Sequence, residues 1–79
     1  MSNVTINAAK IAREVANTEL DDGEALYLVN GEVVAGHDGN QPSNSLCLLV
    51  GPADPINTMA AEIEQSIEAF AADRGYTLV

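Results

Sequence analysis

Apolar residues along the chain form two helix-like stripes separated by short β-type runs. Ala8, Ile11, Ala12 and Val15 recur at three- and four-residue spacing, which predicts a helix over about Ala8 to Thr18. Asn7 or Thr5 can cap it, because a side-chain oxygen accepts from a free N–H of the first turn. Residues 3–6 predict a short extended segment before it. Ile56, Met59, Ala60, Ile63, Ile67 and Phe70 repeat the helical spacing and predict a second helix from Pro55 to about Asp73. Asp54 supplies a cap, and Pro55 suits the first position, where its missing N–H costs nothing. Arg74 and Gly75 then give a cationic last turn and a left-handed stop.

Between the stripes the period changes. Ala25–Val29 and Glu32–Gly36 are rich in strand formers and flank Asn30-Gly31. Asn-Gly tolerates the positive φ angles of a type I′ turn, whose twist suits a two-residue hairpin. Leu20–Glu24 and the polar stretch His37–Ser45 read as loops. Leu46–Val50 predicts a third strand, apolar enough to be central, that ends at Gly51-Pro52. Tyr76–Val79 predicts a short last strand. The expected order is α-β-β-β-α-β in a single α+β domain spanning residues 1–79. A small, mostly antiparallel sheet of three or four strands would carry both helices on one face. The third and fourth strands either pair in parallel through a right-handed crossover or are not neighbours.

Charge adds the next constraint. Twelve acids face three bases, Lys10, Arg13 and Arg74, for a net charge of −9. Phosphate backbones are neutralised by clustered Lys and Arg, so direct nucleic-acid binding is not expected. Anionic membranes are disfavoured for the same reason. A basic partner would be attracted at long range. No apolar run reaches the ~20 residues of a membrane span, and the N-terminus has no signal-peptide pattern. A cytoplasmic location follows as the expectation, that of a host cell if the gene is carried by a phage. Cys47 is the single cysteine and is expected to be a buried, inert thiol.

No motif for catalysis, metal or cofactor stands out. His37 and Asp38 are adjacent loop residues without a nucleophile nearby, and a zinc site would need about four ligands. Asp21-Asp22-Gly23-Glu24 and His37-Asp38-Gly39-Asn40 lack the alternating ligands and distal Glu of a calcium loop. No enzyme activity and no cofactor are therefore expected. The acids remain as candidates. On the second helix Glu64 and Glu68 flank one edge of the apolar stripe, and Glu62 and Asp73 flank the other. Asp21, Asp22 and Glu24 add charge beside the hairpin. A solvated hydrophilic face and a docking surface for a basic groove both account for them. In the second case Asp21, Asp22, Glu24, Glu62, Glu64 and Glu68 are the expected partner-binding carboxylates. Spaced carboxylates can imitate phosphates, which lie ~3.4 Å apart along one DNA strand.

In size, acidity and α+β layout, without an active site, the chain resembles the small anti-CRISPR proteins encoded by phages. Those proteins share no diagnostic motif, so the resemblance assigns no residue roles. It implies a basic nucleic-acid-handling complex, such as a CRISPR effector, as partner, and competition with DNA. A self-associating structural or assembly subunit is the other expectation. The outward Ala61, Ala69 and Ala72 of the second helix would allow close helix packing. No sequence feature sets the oligomeric state.

Overall fold

The structure is a computed structural model and describes residues 4–52 and 59–79. Its elements run β1 (Thr5–Ile6), α1 (Ala8–Ala16), β2 (Glu24–Val29), β3 (Glu32–His37), β4 (Ser45–Val50), α2 (Ala60–Arg74) and β5 (Thr77–Leu78). The α+β class and the antiparallel sheet agree with the sequence pattern. One short strand, β1, precedes the expected order, and β5 is the short last strand expected over Tyr76–Val79.

Local chemistry explains the α1 boundaries. Asn7 is the N-cap, and its Oδ1 accepts from the Lys10 amide at 3.1 Å. At the other end the Asn17 side-chain amide donates to the Arg13 carbonyl, and the Thr18 hydroxyl donates to that of Glu14, at 2.9 and 2.8 Å. These bonds satisfy two of the last carbonyls and stop the helix at Ala16, just past the last stripe residue Val15 and short of the expected Thr18.

The second helix begins later than Pro55. Met59 is extended, with φ −96° and ψ 111°, and Ala60 is the first helical residue. Asp54, Pro55 and Ile56, the expected cap, first position and first apolar contact, lie outside the described residues. Met59 is 60% exposed and does not join the core as its spacing suggests. It precedes the first turn, so the helical period does not govern its direction. Ala71 takes the place instead, fully buried beside Ile63 and Ile67. Gly75 closes α2 in the left-handed conformation, φ 73°.

The hairpin forms as its turn sequence requires. Asn30 and Gly31 have φ 51° and 84°, and β2 pairs with β3 from Glu24↔His37 to Val29↔Glu32. The sheet order is β3-β2-β4, so β2 is central and β4 is at an edge, against the expectation for Leu46–Val50. A bulge explains the apolar run of β4. Leu26 pairs with Leu49 and Tyr27 with Cys47, which leaves Leu48 as the extra residue. Leu46, Leu48 and Leu49 thereby all reach one core with Leu26, Leu28, Val15 and Ile67. Strand β5 does not pair with β4. It pairs in parallel with β1, through amides of Thr77 and Val79 that donate to the carbonyls of Val4 and Ile6, both at 2.9 Å.

The two faces of β2 are both covered. Leu26 and Leu28 join the helices in the main core, while Ala25 and Tyr27 alternate to the other face. The Tyr27 ring lies against Gly36 on β3, where any side chain would crowd it. Its hydroxyl donates to the His37 carbonyl at 2.5 Å. Burial, and secondarily Cys47 and Asp38 nearby, push the Tyr27 phenol above its ordinary pKa of 10.0.

Candidate acidic interaction surface

Asp21, Asp22 and Glu24 sit in the tight connection into β2. The Asp21 amide donates to Glu24 Oε1 at 2.9 Å, and the Glu24 amide returns a bond to the Asp21 carbonyl at 3.1 Å. The Glu24 carboxylate therefore shapes its own loop and is half-buried, while Asp21 and Asp22 are exposed. Gly51 fastens this loop to the end of β4. Its amide donates to the Glu24 carbonyl at 2.8 Å, and the Asp21 carbonyl fills the space a side chain at position 51 would need.

Glu62 lies in the first turn of α2, exposed, where a negative charge favours the helix dipole. Glu68 is also exposed, and Glu64 is half-buried. Glu62, Ile63 and Ser66 line an open cleft of about 210 Å³ with Cys47 and Leu48 of β4. Glu62 and the Asp21–Glu24 loop thus border the same strand, at Cys47–Leu48 and at Gly51, about 10 Å apart along it, whereas Glu64 and Glu68 flank the other edge of the α2 stripe and are not brought to that cleft. Sequence spacing did not indicate that neighbourhood, because it depends on where α2 crosses β4.

Neutralisation inside the fold is small. Among the described residues the one ion pair joins neighbours Arg74 and Asp73 at 3.5 Å, and the same guanidinium lies 5.0 Å from the centre of the Phe70 ring. None of the six candidate carboxylates has a cationic partner there. Lys10 and Arg13 are exposed on α1, the opposite charge character to α2.

Cys47 is half-buried, less enclosed than a core thiol. Burial, with Asp38 adding to it, raises its pKa above 9.0, against a smaller lowering by a backbone hydrogen bond from Leu49. It is therefore a poor nucleophile at neutral pH. His37 and Asp38 are both exposed, and the described residues hold no cluster of three or more metal-ligating side chains. No helix among them is long and apolar enough to cross a membrane. Comparison with family models, curated proteins and solved structures gives no match.

Proposed function

We propose that the chain is a non-enzymatic inhibitor or interaction module, anti-CRISPR-like in action. Its acidic surface binds a basic nucleic-acid-handling protein and competes there with DNA. One observation supports this most directly: Asp21, Asp22, Glu24, Glu62, Glu64 and Glu68 have no cationic partner among the described residues of a chain with net charge −9. Unpaired carboxylates on a folded scaffold attract Arg and Lys and raise the association rate of a complementary partner.

Calorimetric titration against a purified DNA-binding effector tests it, with Asp21, Asp22, Glu62, Glu64 and Glu68 changed to Lys singly and together. Affinity is expected to fall with each reversal and with added salt, and excess DNA should displace the protein. Equal affinity after all five reversals would overturn the proposal. A self-associating assembly subunit has one observation in its favour, since Ala61, Ala69 and Ala72 are all exposed along α2. A mass that rises with concentration in light scattering, and falls on Ala69→Glu, would select that reading.

A further inference from the structure

We propose that the outer edge of β3 accepts an extended, cationic segment of the binding partner as an additional antiparallel strand. This rests on the reading of a basic partner and specifies how part of it is held.

The positive φ angles of Asn30 and Gly31 make Val29 and Glu32 a hydrogen-bonded pair across a two-residue turn. Alternation then directs the N–H and C=O groups of Val33 and Ala35, and the N–H of His37, away from β2. Two bonds agree with that phase. The Asp38 amide continues the inner set to the Gly23 carbonyl at 2.9 Å. The outward His37 carbonyl is already taken, by the Tyr27 hydroxyl at 2.5 Å and the Asn40 amide at 3.1 Å. The edge open to pairing is therefore Val33 to Ala35 plus one amide. No strand among the described residues pairs with β3 on that side.

The two sheet edges are guarded differently. Strand β4 carries a bulge at Leu48 and borders α2. Strand β3 keeps unbroken register over all six pairs, and its sequence Glu-Val-Val-Ala-Gly-His has neither Pro nor Lys. Val33 and Val34 are 39% and 41% exposed. Edges of this kind pair readily unless blocked. Charge selects the occupant. Glu32 and Asp38 are exposed at the ends of β3, and Glu24 stands opposite His37. A second copy fits poorly, because pairing would join two chains of −9 each. The register that opposes Ala35 to Ala35 would also set Glu32 against Asp38 at both ends. A segment alternating Lys or Arg with β-branched residues satisfies both the backbone and the charge.

The test is an amide NMR titration with a short synthetic peptide alternating Lys with Val. The amides of Val33, Ala35 and His37 are expected to shift and gain exchange protection. Ala35→Pro removes an outward donor while leaving the bonds to β2, and should weaken binding about tenfold. Preserved inner-ladder signals of Tyr27 and Val34 show that this variant is folded. If it is not, N-methylation of the peptide backbone must give the same weakening. Binding that ignores both changes but disappears on reversal of the acids would overturn the inference and leave the acidic-surface reading standing. Binding that ignores all three changes would overturn both. Concentration-dependent changes at Val33 and Ala35 without peptide, removed by Ala35→Pro, would give the edge to a second copy instead.

Discussion

Strands β2 and β3 are hydrogen-bonded neighbours of equal length, yet they live in different environments. Ala25, Leu26, Tyr27 and Leu28 are buried in succession on β2, whereas every residue of β3 except Gly36 is exposed. One strand is held by packing on both faces. The other is held by its ladder, the Asn30–Gly31 turn and a tyrosine that reaches across it. Apolar sequence alone does not make a core strand; position in the sheet does.

Four substitutions break or sharpen this contrast. Leu28→Ala removes a fully buried side chain from the main core, and chemical denaturation should show a loss of about 2–5 kcal/mol. Gly36→Val forces the Tyr27 ring off its seat, and about 1–3 kcal/mol should be lost although the position is on β3. Tyr27→Phe keeps the ring but deletes the bond to His37, and should loosen β3 more than β2 in amide exchange. It also carries a pH signature. A phenol whose folded pKa is raised gives stability that is intact below the unfolded value near 10.0 and is lost as pH rises through the folded one. The variant should lack that alkaline decline. Val33→Ala lies on the exposed strand and should change stability by no more than about 0.5 kcal/mol. A loss comparable to that of Leu28→Ala would mean that β3 is packed rather than merely paired.

Much of this architecture is legible in the sequence. The hairpin followed from Asn30-Gly31, the start of α1 from Asn7 and the end of α2 from Gly75, because each is a local backbone requirement met by one residue type. The misreadings were non-local. Leu46–Val50 resembled a central strand because a bulge turns three leucines to one core, and spacing along a chain does not reveal a bulge. Met59 fitted the helical stripe but precedes the helix. Strand β5 is expected over Tyr76–Val79, but its partner stays open, because pairing with β1 spans almost the full chain and is two residues long on each side. The acids were visible as a count. The placement of Glu62 and the Asp21–Glu24 loop beside β4 depends on how α2 crosses the sheet, and the edge of β3 depends on hydrogen-bond phase.

The placement of the two tyrosines has a practical consequence. The chain has no tryptophan, so Tyr27 and Tyr76 supply nearly all of its near-ultraviolet emission. Tyr27 is clamped in the sheet, whereas Tyr76 meets the Phe70 ring edge-on at 6.0 Å, where α2 ends beside β5. Each reports a separate part of the molecule. Removing either one leaves a single intrinsic fluorophore, so melting of the sheet and of the helix end can be followed separately without an added dye.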